Sequence, residues 1–413
     1  MTETQDSMTD QAVDKRIRSL DVLRGLALML IIFFHSSIYN FANIHKIDFE
    51  NPPLLIIIMS FMALWGGIFI IYSMVVNTIM LTRRSAGNLN FKPFRHAVTA
   101  GLIYIVLHYL LNIFLGRWNI DFINNMPDIT VMAGSLRNAQ LKFPEYTKYF
   151  EGSSLSTIAF SLILLTPVLF LVLKHVRREK NQYLVLVLSG ALIMIVSFAR
   201  IPVFPFFERV VESRHHLAAT FFSFTIANPY PLLPYSAYGL IGMMIGLMAY
   251  HGRVRLLKLY AAPMGLLFLL YGLAGMMQFD KSISKPDFFW YFKTNFELGI
   301  FILLVVPALL AQPGKKGLLA QLPLLQWFSR VSLTIYMMET TTSEFFRMLW
   351  VHVVPGWNQT INGCLLFGAM NVLLWSIILF FWRKAGFRYS LEYFWVKLFR
   401  RLGKQSTKMD FIL

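Results

Sequence analysis

Ten long apolar stretches set the terms on which this chain can fold. They lie near 22–42, 54–81, 96–115, 153–173, 182–199, 231–250, 259–278, 295–312, 325–350 and 361–382. About 20 apolar residues, rising about 1.5 Å each, cover about 30 Å of bilayer hydrocarbon. No water inside that layer completes a bare backbone, so stretches of this kind cross as helices that satisfy their own N–H and C=O groups. Charged residues make up only 14% of the chain and hydrophobic residues 56%, whereas a soluble domain carries about 25% charge. The expected fold is all-α: a polytopic membrane protein of about ten transmembrane helices.

The connections between the stretches encode orientation. One set carries RRSAGNLNFKPFR (83–95), KHVRREK (174–180), HGRVRLLK (251–258), QPGKKG (312–317) and the basic tail after Phe381. The other set is 43–53, 116–152, 200–230, 279–294 and 351–360. Lys and Arg divide about 25 to the side holding the termini and 11 to the other, with Arg330 and Arg347 inside the ninth stretch. Basic connections stay in the cytosol, so both termini are expected there. The net charge of +17 sits in these short clusters, which is topology and not a nucleic-acid surface. A bacterial cytoplasmic membrane is the default location, with an organelle as the alternative.

Residues 1–15 are polar and acidic and lack a cleavage site behind an apolar core, so they read as a disordered cytosolic tail and not as a signal peptide. Residues 16–383 form the membrane domain. The tail 384–413 mixes aromatic and basic residues at helical spacing (FRYSLEYFWVKLFRRLG), which suits an interfacial amphipathic helix on an anionic leaflet. The lone cysteine, Cys364, excludes an internal disulfide and reads as a small buried thiol. The connections 116–152 and 200–230 are long enough to suggest function.

Ionisable groups inside apolar stretches are costly and mark candidate sites. His35 lies about 15 Å beyond Gly25 by helical rise, near the middle of a bilayer. It reads as a general base or as a neutral helix-to-helix tie. His108, about 18 Å into the third stretch, reaches a similar depth. Arg18, Asp21 and Arg24 are spaced three apart and share one helix face. Anchoring explains the arginines, but Asp21 beside them fits better as the orienting acid of a phosphate or pyrophosphate site. His45 falls in the following connection, at the outer face. His215 and His216 lack further ligands at metal-site spacing, so no metal is expected. In the ninth stretch Glu339 is deep enough to be neutral, paired or facing an aqueous cavity. Ser73 and Asn77 sit four apart and suit helix–helix hydrogen bonding, and the glycines of YGLIGMMIGLM (238–248) suit close helix approach. No GxxxxGK[ST], GxSxG or HExxH occurs, so soluble nucleotidase and hydrolase chemistry is unsupported.

RIRSLDVLRG followed by an apolar run to His35 resembles the first helix of the transmembrane acyltransferases, the superfamily that includes the heparan-alpha-glucosaminide N-acetyltransferase group and the acyltransferase-3 group. IFIIYSMVVNTIMLTRR (68–84), PYPLLPYSAYGLIGMMIG (229–246), FSRVSLTIYMMET (328–340) and SLEYFWVKLFRRL (390–402) are similar to later parts of such proteins. The resemblance implies transfer of an acyl group, usually acetyl, from cytosolic acyl-CoA to an extracytoplasmic sugar or glycan, with no tightly bound cofactor. In the acyltransferase-3 group the catalytic histidine stands where His35 stands. In the heparan-type group it lies about ten residues on, close to His45. His108 completes the catalytic candidates. On that reading acyl-CoA contacts are expected at Arg18, Asp21, Arg24, Ser73, Arg83, Arg84 and Arg330, since several phosphates demand several positive donors, and acceptor contacts at Glu339 and Tyr39. Two departures stand out: Met74 replaces a usual glycine, and Glu339 replaces a frequent histidine.

Expected partners are thus acyl-CoA, a carbohydrate acceptor and the bilayer, with a homodimer left open. The competing class is a transporter or flippase of an amphipathic or lipid-linked glycan, which ten helices and intramembrane polar groups suit equally well. A non-catalytic scaffold accounts least well for Asp21 and His35.

Overall fold

The computed structural model describes residues 18–44, 64–85, 89–116, 119–121, 126–227, 229–279, 286–311 and 322–403. In chain order the principal helices are α1 (Arg18–Ser37), α2 (Ile68–Arg84), α3 (Lys92–Tyr109), α4 (Val131–Asn138), α5 (Ser154–His175) and α6 (Glu179–Val196). Then come α7 (Arg200–Glu212), α8 (His216–Phe222), α9 (Leu232–Tyr250), α10 (Ala262–Met276) and α11 (Phe288–Leu310). The chain ends with α12 (Pro323–Arg330), α13 (Ser332–Val353), α14 (Ile361–Lys384) and α15 (Leu391–Gly403). A pair of three-residue strands, Asn119–Asp121 and Met126–Asp128, is the β structure among the described residues. Nine of the described helical runs are long and apolar enough to cross a membrane. The protein is a helical, multi-pass membrane protein.

The difference from ten lies in the ninth stretch. It folds as α12 and α13, broken at Val331, where the backbone turns to φ −123°, ψ 36°. α13 has 22 residues, yet Glu339, Glu344 and Arg347 keep it outside the apolar group. The connection 200–230 is another departure, because α7 and α8 make most of it helical. α7 directly continues the fifth span, giving one helical run from Glu179 to Glu212.

Two compact units divide the chain. The first comprises residues 1–63, 117–127 and 307–413. Its hub is α1, against which α12, α13 and α14 pack. Gly25 makes the α1–α12 crossing possible: a Cβ there would stand 1.9 Å from the Leu325 carbonyl oxygen. Near the other end of α1, Phe34, Ile38, Phe41 and Ile44 pack with Trp357, Cys364 and Phe367. Cys364 is buried and free, as its apolar surroundings predict.

A turn at 385–389 joins α14 to α15, with Phe387 and Tyr389 both at positive φ (52° and 68°), a conformation that non-glycine residues adopt only when held there. The Trp382 indole donates to the Arg388 carbonyl at 2.9 Å. The Ser390 hydroxyl then accepts the Tyr393 N–H at 3.0 Å and starts α15 as an N-cap. Its second residue, Glu392, is buried and accepts from the Leu333 N–H at 2.6 Å, the Thr334 N–H at 3.3 Å and the Thr334 hydroxyl at 2.6 Å. A side chain on α15 therefore satisfies the open amides at the start of α13. Burial holds the Glu392 carboxyl above its ordinary range, while the Thr334 and Leu333 hydrogen bonds pull it down.

The second unit comprises residues 64–116 and 128–306. Its centre is α9, buried without interruption from Pro234 to Met248. The glycine seam expected there carries α2: a Cβ on Gly242 would lie 2.8 Å from the Ile71 carbonyl oxygen, and one on Gly246 2.8 Å from that of Val75. Such close backbone approach replaces the hydrophobic drive that lipid does not supply. Ser153 and Ser156 form a capping box at the start of α5. Phe150, Val210 and Ala219 form a small core among the connecting segments.

Candidate functional site

In the first unit α1 and the α12–α13 pair meet at two polar levels. At the first, the Arg24 guanidinium donates from Nε to the Ser329 hydroxyl at 2.8 Å and also reaches the Ser329 carbonyl. The Ser329 hydroxyl donates to Asp21 Oδ1 at 3.0 Å, and Asp21 lies 3.9 Å from Arg24. Asp21 and Arg24 are both buried. A buried arginine needs this degree of compensation. The most distinctive part of the first motif is thus a joint between α1 and α12. Gly25 admits the α12 backbone, and Asp21 and Arg24 clasp it.

The second level lies eleven residues further along α1 and ten further along α12–α13. There His35 Nδ1 stands 2.6 Å from Glu339 Oε1. Their side chains are 17% and 4% exposed, so the pair opens to the surface on the histidine side. Together with Ser36, Asn40, Thr340, Ser343 and Glu344 they line a small, open polar cleft. The Tyr39 ring lies 5.6 Å from that of His35. Arg347 donates to Glu344 at 2.8 Å, so the second carboxylate of the cleft has a counter-charge. Glu339 Oε2 is buried and has no hydrogen-bond partner among the described residues.

His35 stands in the last turn of α1, and a short 3-10 turn, Ile38–Asn40, carries the helical run on to Asn40. About 25 Å of helical rise separates Arg18 from His35.

No protein-family model and no curated protein matches the chain.

The remaining sequence candidates fall in three places. Arg18 and Arg330 belong to the first unit and are exposed. His108, Ser73, Arg83 and Arg84 belong to the second. His108 is fully buried, with Nδ1 3.0 Å from the Ser153 hydroxyl, and its Nε2 has no hydrogen-bond partner among the described residues. Asn77 donates to the Ser73 carbonyl at 2.8 Å, a contact within α2. Arg83 and Arg84 are exposed at the end of α2. His45 lies outside the described residues. His216 stacks on Phe150 at 5.8 Å, and the described residues hold no group of three or more His, Cys, Asp or Glu placed to bind a metal.

Ser36, Asn40, Thr340 and Ser343 were not singled out from the sequence. The available signal was spacing: Ser343 follows Glu339 by four residues and shares its helix face.

An imidazole whose Nδ1 hydrogen-bonds a carboxylate is held in one tautomer and one orientation, with its lone pair on Nε2. The carboxylate also stabilises the imidazolium that forms when Nε2 takes a proton. The contact ties α1 to α13, and such an arrangement, placed among hydroxyl and amide groups, is able to act as a general base with its orienting acid.

Proposed function

We propose that this protein is a membrane-embedded acyltransferase that moves an acyl group, with acetyl the first candidate, from cytosolic acyl-CoA to an extracytoplasmic sugar or glycan. The observation that carries this reading is the His35–Glu339 pair at 2.6 Å on the wall of a polar cleft. The resemblance of the first helix to the transmembrane acyltransferases supports it, because the catalytic histidine of one group falls on His35.

In this mechanism His35 takes the proton of an acceptor hydroxyl or amine as the acceptor atom attacks the thioester carbonyl. The carbon–sulfur bond breaks, and the imidazolium returns the proton to the departing thiolate. Glu339 orients His35 and offsets its transient charge. Asp21 and Arg24 act through the helix joint and keep His35 in register with α13. That leaves the exposed Arg18 and Arg330 as first-unit donors to the CoA phosphates, and Arg83 and Arg84 as candidates in the second unit. Cytosolic termini and a bacterial inner membrane belong to the same proposal.

The transporter reading is favoured by one observation in the second unit. Glu297, 1% exposed, pairs with Lys293 at 2.8 Å and accepts from the Tyr235 hydroxyl at 3.1 Å, and charged groups at such depth often lie on transport paths. Acetyl-CoA binding to the purified chain in detergent separates the two. The acyltransferase predicts saturable binding that survives His35→Ala and weakens in Arg18→Ala with Arg330→Ala. Absence of binding to folded protein would move the transporter to the front.

A further inference from the structure

The C-terminal helix presents two different faces. Towards the protein it buries Glu392 and Val396, and Glu392 caps α13 through the Leu333 and Thr334 amides. The Leu391 N–H returns a bond to the Thr334 hydroxyl at 2.7 Å. Away from the protein, Phe394 is 50% and Leu398 41% exposed, and Tyr389 in the preceding turn is 78% exposed. Phe394 and Leu398, four residues apart, share one helix face, and Tyr389 adds an exposed ring from the turn before the helix. Lys397 is exposed beside them. Arg383 and Lys384 close the preceding helix.

An exposed apolar face flanked by cations is stable at a lipid–water boundary, with the rings among the headgroups and the cations near lipid phosphates. Opposite charges fix the occupant as an anionic bilayer surface. α13, whose start the other face of α15 caps, carries Glu339 seven residues after Ser332.

We propose that α15 is a docking surface for anionic lipid, and that its seating on the bilayer is transmitted through the Glu392 cap to the helix bearing Glu339. Lipid charge holds α15 in the orientation that keeps Glu392 on the Leu333 and Thr334 amides. When α15 lifts, those amides lose their acceptor and the first turn of α13 frays. Because Glu339 lies two turns on, the order of this turn sets how firmly Glu339 holds His35. That last step rests on the acyltransferase reading, whereas the lipid-to-cap coupling does not.

The test is hydrogen exchange across residues 332–340 of the full chain in nanodiscs of phosphatidylcholine, with and without phosphatidylglycerol. A Lys or Arg near an anionic surface contributes enough to slow exchange of the capped amides about fivefold. That slowing is expected in the wild type, is kept in Glu392→Gln, which retains an acceptor oxygen, and is lost in Glu392→Ala. The double variant Phe394→Ser with Lys397→Glu changes only exposed groups. It carries the same test should Glu392→Ala fail to fold, and it too should lose the slowing. Equal exchange in both lipids for the wild type overturns the proposal, as does a lipid effect that persists in either disabling variant. The readout involves no acyl transfer, so a protein inactive towards acetyl-CoA but responsive here would sink the enzyme reading alone.

Discussion

His35 Nδ1 and Glu339 Oε1 are 2.6 Å apart across 304 residues of sequence. The contact depends on α1 and α13 running in register, and that register is set below it by Arg24, Asp21 and Ser329 and by the absence of a side chain at Gly25. Chemistry at one level of the helix pair is thereby tied to packing at the other.

Removing the base should remove transfer. For His35→Gln, acetyl transfer should fall about 10²- to 10⁴-fold, the usual contribution of a positioned general base. Glu339→Gln keeps the shape of the site but loses the charge that orients the ring, and should fall by a similar factor. In both, the KM for acetyl-CoA should stay near the wild-type value, which steady-state kinetics would show.

The joint at the other end of α1 should matter for stability more than for chemistry. Arg24→Ala leaves Asp21 buried without its cation and should cost about 3 kcal/mol. Ser329→Ala should cost about 1–3 kcal/mol. Thermal unfolding in detergent reads both, and wild-type melting of Arg24→Ala would assign the stripe elsewhere.

Gly25→Val tests the crossing directly. Its side chain would meet the Leu325 backbone, where overpacking costs about 1–3 kcal/mol or more. Expression and melting temperature should both drop, while Gly252→Ala, at a position with open space but positive φ, should cost about 1 kcal/mol.

A pH dependence is expected just beyond the end of α9. Burial is the largest influence on His251 and holds its imidazole below 6.5, with Glu179 opposing and Arg253 assisting. The ring nitrogen Nδ1 lies 2.7 Å from the Tyr183 hydroxyl. A histidine whose folded pKa is depressed takes up a proton more readily when unfolded. Its contribution to stability is therefore present above about 6.5 and lost as pH falls towards the lower folded value. Melting temperature should decline over that window in the wild type and decline less in His251→Gln.

Much of the architecture was legible because lipid writes it in one dimension: length and apolarity alone locate nine spans. The ninth stretch was harder, since Glu339, Glu344 and Arg347 lower its apolarity and the break at Val331 follows from local backbone geometry. The candidate site was legible only in part. His35 and Glu339 each stood out as ionisable groups in apolar surroundings, but their pairing depends on which helices meet. Asp21 and Arg24 read as part of a phosphate or pyrophosphate site until Ser329, 305 residues from Arg24, supplied the partner. Glu392 did not stand out in the sequence, because an acceptor for amides on another helix leaves no spacing signal of its own.

The most direct test supplies radiolabelled acetyl-CoA to permeabilised membranes carrying the wild type, His35→Ala or Glu339→Gln at matched levels of folded protein. Label should pass into base-labile or amide-linked acetyl groups on carbohydrate in the wild type and stay at background in both variants. Equal incorporation by wild type and His35→Ala would contradict the account, because the imidazole would then have no part in the transfer.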